Sequence, residues 1–250
     1  MTRQAVILAG GLGTRLRPVT EMIPKPLMPV GDRFFLHYML KMLVANGMRD
    51  VLLLVGHLHE RVVKAVGDGA RYNCRVEYSV ERELLGTGGA IKNAEDKLDD
   101  EFFVLNGDTY LPINYRAVEA DWEARRDELD GLLVVYDNSE PVAPGNVRVG
   151  DDGLVTEYRK RAGRAAGGVD AGVQVFTRRI LELMPPGEVV SLEETVFTKL
   201  IAERRLGAYT TSTRYYDIGT PERLAAFERY IRNSGLNTRE DHGLREEEDA

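Results

Sequence analysis

With one cysteine, Cys74, in 250 residues, no internal disulfide is available, and the chain fits a reducing compartment. No apolar run approaches the ~18 residues that a membrane-spanning helix needs. The first apolar stretch, Ala5 to Ala9, stops at Gly10, too short for the core of a secretion signal. A cytoplasmic chain with no membrane contact is therefore expected. Two familiar phosphate-binding strings are missing as well. No Lys-Ser or Lys-Thr follows the first glycines, and Gly11-x-Gly13 is followed by Leu16 where a dinucleotide-binding turn has Gly. Nor is the chain basic overall: 33 Lys and Arg against 40 Asp and Glu leave a formal −7, which argues against a general nucleic-acid binder. Hydrophobic and charged fractions are ordinary, and the length suffices for one large α/β core.

What is present begins at residue 3. Over residues 3–33 the local charge reverses, with five basic residues (Arg3, Arg15, Arg17, Lys25, Arg33) against two acidic ones (Glu21, Asp32). Screening over about 8 Å lets that patch act independently of acidic regions elsewhere. Its apolar run reads as a buried parallel strand and leads directly into Gly10-Gly11-Leu12-Gly13-Thr14-Arg15. Glycines there let successive N–H groups approach an anion, and Arg15 and Arg17 add fixed positive charge. Lys25 is braced between Pro24 and Pro26. Together these residues describe a receptacle for a polyphosphate, although a glycine turn taken alone also has a purely structural reading as a tight bend.

Strand and helix then alternate. Phe34/Phe35, Tyr38/Met39 and Met42/Leu43 fall at helical spacing, and Asn46-Gly47 closes that helix. Val51 to Val55, Cys74 to Val80, Phe102 to Leu105 and Leu132 to Tyr136 read as further strands. A second glycine cluster, Gly86 to Gly89, opens a helix running to about residue 97, and Asn114 to Glu128 reads as a surface helix with Trp122 turned inward. His57 and His59 point apart on a helix and make a poor metal pair. The expected fold is α/β, a three-layer doubly wound and mostly parallel sheet with its ligand at the carboxyl ends of the strands. Residues 139–177 break the rhythm with short β-like pieces at Asn146–Val149, Leu154–Tyr158 and Gly172–Phe176, and are read as a small lobe for a second substrate. Ser191 to Glu194 has the form of a capping box opening a helix. The main domain is placed at 1–234, and the acidic tail 235–250 is read as disordered.

Asp108 ends an apolar strand behind Gly107, where a hard oxygen ligand for Mg²⁺ would stand, and Asp217 occupies a comparable turn before Gly219. Either aspartate alone reads equally as a turn or cap residue. The string G-G-x-G-T-R-L-x-P-x-T-x-x-x-P-K-P-L over residues 8–30, with Asn106-Gly107-Asp108-Thr109-Tyr110 and Tyr216-Asp217-Ile218-Gly219-Thr220-Pro221-Glu222, resembles the sugar-1-phosphate nucleotidyltransferases. The nearest likeness is to the D-glycero-D-manno-heptose 1-phosphate guanylyltransferases, over about residues 4–232.

This resemblance implies transfer of a nucleotidyl group from a nucleoside triphosphate to a sugar 1-phosphate, with Arg15, Lys25, Asp108 and Asp217 at the reacting centre. It also implies Mg²⁺ held by Asp108 and Asp217. The nucleotide would lie on Leu8, Ala9, Gly10, Gly11, Gly13, Thr14, Arg15, Lys25, Glu81, Gly86, Thr87, Asn106 and Gly107. Glu81 favours GTP: a carboxylate offers only acceptors, and guanine presents two adjacent donors where uracil and thymine present one. Gly145, Lys160, Arg161, Asp170 and Gly172 would meet the sugar phosphate. Two of these depart from the family pattern, Lys160 standing where Glu is usual and Asp170 where Asn is usual. The sugar is thus expected to be heptose- or mannose-like, or a carbasugar, deoxy or amino relative. A thymidylyl- or uridylyltransferase is the alternative, a non-catalytic sugar-nucleotide sensor is a third reading, and the resemblance allows a homodimer.

Overall fold

A computed structural model describes residues 4–159 and 167–236. Along the chain the strands are β1 (Gln4–Leu8), β2 (Pro29–Val30), β3 (Arg33–Phe34), β4 (Asp50–Val55), β5 (Arg75–Val80), β6 (Glu101–Asn106), β7 (Thr109–Tyr110), β8 (Gly131–Tyr136), β9 (Val147–Val149), β10 (Val155–Tyr158), β11 (Val169–Thr177), β12 (Leu206–Thr211) and β13 (Tyr216–Asp217). The helices are α1 (Phe35–Ala45), α2 (His59–Val66), α3 (Gly86–Asn93), α4 (Tyr115–Arg125), α5 (Thr198–Ala202) and α6 (Pro221–Ser234).

A seven-stranded sheet in the order β12-β8-β11-β6-β1-β4-β5 forms the middle layer. All its strands run parallel except β11, which is antiparallel to both neighbours. The continuous apolar strands are explained by burial on both faces. Ala5, Val51, Leu53, Phe103 and Leu105 join the core beneath α1, α4 and α6, while Val6, Leu52, Leu54, Phe102 and Val104 join the one beneath α3 and α5. Each fully buried Leu or Phe contributes about 1.5–3 kcal/mol of apolar burial. The expected three-layer, mostly parallel architecture is the one observed.

The α1 stripe is core, as its spacing predicts, and Asn46 ends the helix by donating from Nδ2 to Met42 O at 3.0 Å. Trp122 is fully buried. Ser191 caps its segment, Oγ accepting from Glu194 N at 3.2 Å, but residues Leu192–Phe197 are π-helical before α5 begins. The reading of 139–177 needs correction at its end. Only β9 and β10 form a separate antiparallel ribbon, whereas β11 lies in the main sheet between β6 and β8. Asp170, Gly172 and Gln174 make β11 look like a short polar piece, yet eight of its nine residues are either apolar or turned into the protein.

Two features position the site. The carboxyl ends of β1, β4, β5 and β6 share one edge, and the pairing of β7 with β13 sets Asp217 opposite Thr109. Aromatic packing holds that small pair against α6: Tyr216 stacks on Tyr230 with centroids 4.3 Å apart, and Tyr110 meets Phe227 at 5.1 Å.

Candidate active site

One cleft of about 650 Å³ opens along this edge. Leu8 to Gly11, Gly13 to Arg15, Lys25, Glu81, Gly86, Thr87 and Asn106 to Asp108 all line it. The two ends of the chain's first motif are thus joined to loops as distant as residue 108.

The close approach of β1 and β6 depends on glycine. Gly107 N donates to Leu8 O at 3.0 Å, and a Cβ at position 107 would collide with that carbonyl. Gly10 has a different task. A Cβ there, or on Gly56, would overlap Oε1 of Glu81, so both glycines clear a berth for that carboxylate. The other oxygen, Oε2, accepts from Leu85 N at 3.1 Å. Burial pushes the Glu81 carboxyl above its ordinary range, and the Leu85 N–H pulls in the other direction with less effect.

Lys25 Nζ lies 2.5 Å from Asp108 Oδ2, with the Lys25 side chain only 12% exposed. The flanking prolines bracket Lys25 at the start of a short 3₁₀ turn and restrict the backbone there. Thr109 Oγ1 donates to the other oxygen of Asp108 at 3.1 Å. Asp217 meets this centre through the backbone: Ile218 N donates to Asp108 O at 3.0 Å, and the Arg15 guanidinium packs against Gly219. The Asp217 carboxylate itself faces a small neighbouring hollow, where Arg223 Nη1 contacts its two oxygens at 3.1 and 3.0 Å. The fold therefore brings the backbone of Asp217 in β13 against that of the turn before β7, which carries Asp108, while the two carboxylates line separate cavities, Asp108 paired with Lys25 and Asp217 with Arg223.

The second glycine cluster divides its work. Gly86 and Thr87 line the cleft, while Gly88 N and Gly89 N donate to Val190 O and so pack α3 against the 188–192 segment. That segment carries a cleft residue that sequence reasoning passed over, Glu193. Its Oε2 accepts from Ser191 Oγ at 2.6 Å and from Thr87 Oγ1 at 3.2 Å. The signal was its place in Ser191-Leu192-Glu193-Glu194, which reads as a helix cap.

The sugar-side candidates lie at the start of β11. Gly172 stands against Asn106 and Thr109, with φ of 72°, a left-handed value that favours glycine. Asp170 accepts from Tyr158 Oη at 3.0 Å, from Gly172 N at 2.8 Å and from Gln174 Nε2 at 3.3 Å, none of them charged. Burial of its carboxyl pushes it up to about 6, and nearby Glu193 adds to the rise. Gly145 is buried next to Asn146, whose Oδ1 accepts from Asp170 N at 2.9 Å. Lys160 and Arg161 lie outside the described residues, as do residues 237–250 of the tail.

A parallel sheet with an anion cradle, a braced lysine and a carboxylate at the ends of its strands defines a protein that handles a phosphorylated nucleotide. The chain belongs to the nucleotidyl transferase family, which it matches over residues 4–234, and it is an enzyme of that class. It is 32% identical over 222 residues to the D-glycero-alpha-D-manno-heptose 1-phosphate guanylyltransferase of Campylobacter jejuni, covering 88% of this chain and 96% of that one. It is 33% identical over 222 residues to the mannose-1-phosphate guanylyltransferase of Mycobacterium tuberculosis, covering 87% of this chain and 61% of that longer protein. HddC from Yersinia pseudotuberculosis has the same fold, with a TM-score of 0.81 at 28% identity over 92% of this chain and 100% of that one. For HddC complexed with GMP-PN the values are 0.78 and 27% at the same coverage. Among the described residues no helix is long and apolar enough to cross a membrane.

Proposed function

We propose that this chain transfers the guanylyl group of GTP to a sugar 1-phosphate, giving a GDP-sugar and pyrophosphate. The sugar is heptose- or mannose-like, or a modified relative of one. The observation that carries the reading is the single cleft in which the glycine cradle, the Lys25–Asp108 pair and the Glu81 carboxylate stand together. The guanylyltransferase names of the relatives and the GMP-PN complex of HddC support the choice of base.

In this reading Glu81, aligned by Leu85 N and by the space at Gly10 and Gly56, accepts from guanine N1–H and N2–H. The N–H groups of Gly11 to Thr14 and the Arg15 guanidinium hold the β- and γ-phosphates. Lys25 sits between the α-phosphate and the incoming sugar phosphate and relieves their mutual repulsion. An oxygen of the sugar phosphate forms a bond to the α-phosphorus as the bond to the departing pyrophosphate breaks. That nucleophile is already ionised at neutral pH, so positioning and charge neutralisation are what the protein supplies. Glu193, which lines the same cleft, and Gly172 border the sugar side.

Asp108, in the turn before β7, and Asp217, opposite Thr109 in β13, offer carboxylates of the kind Mg²⁺ takes, one or two from the protein with water and phosphate oxygens filling its remaining sites. Among the described residues no cluster of three or more such ligands exists that would favour a different, fully protein-bound ion. Asp108 and Asp217 would hold the cation, which when bound would draw negative charge from the phosphate oxygens.

The test is pyrophosphate release measured for GTP, dTTP and UTP against a set of sugar 1-phosphates. Turnover with GTP and a manno-configured sugar 1-phosphate is expected. Turnover with dTTP or UTP but not GTP overturns the choice of base, and nucleotide binding without turnover on any sugar phosphate makes the chain a sensor.

A further inference from the structure

One glycine outside the cleft bears on the carboxylate assigned to the base. The ends of β1, β4 and β5 are tied together by backbone hydrogen bonds, Ala9 N donating to Leu54 O at 2.8 Å and Glu81 N to Val55 O at 2.9 Å. Val55 pairs with Val80 in the last register of β4 and β5, so Gly56 and Glu81 are the next residues along two neighbouring parallel strands. From there the Glu81 side chain crosses the end of β4 toward β1. Its Cγ and Oε1 lie against the Gly56 backbone, and Oε1 fills the place that a Cβ on Gly10 would take.

Glycine at position 56 answers a need for space and not for backbone conformation. Its φ lies outside the left-handed region, so the backbone there does not itself call for glycine. A methyl group at position 56 would stand 2.9 Å from Glu81 Cγ, 2.8 Å from Oε1 and 3.2 Å from Gly10 O. Cγ sits one bond beyond the Glu81 Cβ, so a turn of the carboxylate alone brings no relief. Glu81 would have to take a new χ1 or χ2. Either change carries the carboxylate away from the Leu85 N–H, 3.1 Å from Oε2, that aligns it. Gly56 does not line the cleft, so a side chain there would act on a bound nucleotide through Glu81.

We propose that Gly56 is a positioning residue that determines the choice of base, because the space above it lets a carboxylate from β5 cross the end of β4 into the cleft. The inference rests on the proposed reading for the role of Glu81, and on the packing of Gly10, Gly56 and Glu81 for the dependence on position 56. A residue that touches no substrate thereby decides between a purine with two adjacent donors and a pyrimidine with one.

The test is kcat/KM for GTP and for UTP with one sugar 1-phosphate, measured on the full-length chain in a cycle of Gly56→Ala and Glu81→Ala. Gly56→Ala is expected to lower the GTP:UTP ratio about 3- to 10-fold, chiefly through KM for GTP, and the double variant should lose no more than Glu81→Ala alone. A glycine with a merely structural role would slow both nucleotides alike and leave the ratio where it was. Urea denaturation supplies a readout without turnover: Gly56→Ala should lower the midpoint in the chain that keeps Glu81 and should not lower it in Glu81→Ala, where the obstacle is gone. If Gly56→Ala fails to fold, the double variant should fold. An unmoved ratio in Gly56→Ala, an added loss in the double variant, an equal fall of the midpoint in both backgrounds, or a double variant that does not fold overturns the proposal alone. A preference for UTP in the unaltered chain, or a ratio that Glu81→Ala leaves unchanged, overturns the reading of the base and this proposal with it.

Discussion

The strands β1, β4, β5 and β6 end in loops that offer the cleft mainly backbone, with glycines clearing the way for N–H groups and for one carboxylate. On the other side, the start of β11 is held by side-chain contacts, with Asp170 bonded to Tyr158 and Gln174. The first half also balances its charge, since Lys25 stands against Asp108 at 2.5 Å. In the second half Asp170 has only neutral donors and Glu193 for a neighbour, and its carboxyl is pushed up to about 6. In the proposed reaction the backbone loop would serve a part of the substrate that never changes, the phosphates of the nucleotide, and side chains the part that varies, where Lys160 and Asp170 depart from the family's pattern.

The largest expected effect lies in the balanced half. Asp108→Asn should lower kcat about 10²- to 10⁴-fold, with far-ultraviolet circular dichroism unchanged. A loss below tenfold would remove Asp108 from the reacting centre. Next comes Gly107→Ala. Its new Cβ meets the Leu8 carbonyl, a backbone atom with nowhere to go, and urea denaturation should show a loss of about 1–3 kcal/mol. Stability close to that of the unaltered chain would mean that β1 and β6 can separate without penalty.

On the side-chain half the sign reverses. The Asp170 carboxyl titrates near 6 in the folded chain against 3.8 unfolded, so ionising it destabilises the fold. Below about pH 4 it is protonated in both states and costs nothing. The penalty builds between about pH 4 and pH 6 and persists above. Asp170→Asn should therefore raise stability at pH 7.5 on the order of 1–3 kcal/mol, and much less at pH 4, as melting curves at the two pH values would show. An equal gain at both would mean that packing, not charge, is responsible.

The smallest effect joins the halves to the choice of base. Glu81→Gln should reduce the preference for GTP over UTP about tenfold, the worth of one good hydrogen bond at 1.4 kcal/mol. Because burial raises the Glu81 carboxyl, KM for GTP should rise as pH falls into that raised range, and Glu81→Gln should flatten the dependence. Unchanged selectivity would return Glu81 to a purely structural role at the end of β5.

The halves differed equally in legibility. Residues 8–30 were legible as one wall of the cleft, which Gly10, Gly11, Gly13, Arg15 and Lys25 all line, because their neighbours in sequence are their neighbours in space. The β-like pieces at 139–177 misled in part, since the polar residues of β11 disguised a central strand. Glu193 was hidden behind a local role, as the companion of a capping serine. Arg223 carried no signal, being one more charged residue in the first turn of a helix.

From the sequence by itself came the fold class, the family and the glycine loop that lines the cleft, because hydrophobic period and short-range motifs express contacts between residues close along the chain. Only the tertiary structure decided that the backbone after Asp217 meets that of Asp108, that Gly10 and Gly56 make room for Glu81, and that Arg223 pairs with the Asp217 carboxylate. Those arrangements depend on strand order, on the pairing of β7 with β13 and on the packing of α6, which join segments about a hundred residues apart and leave no periodic trace.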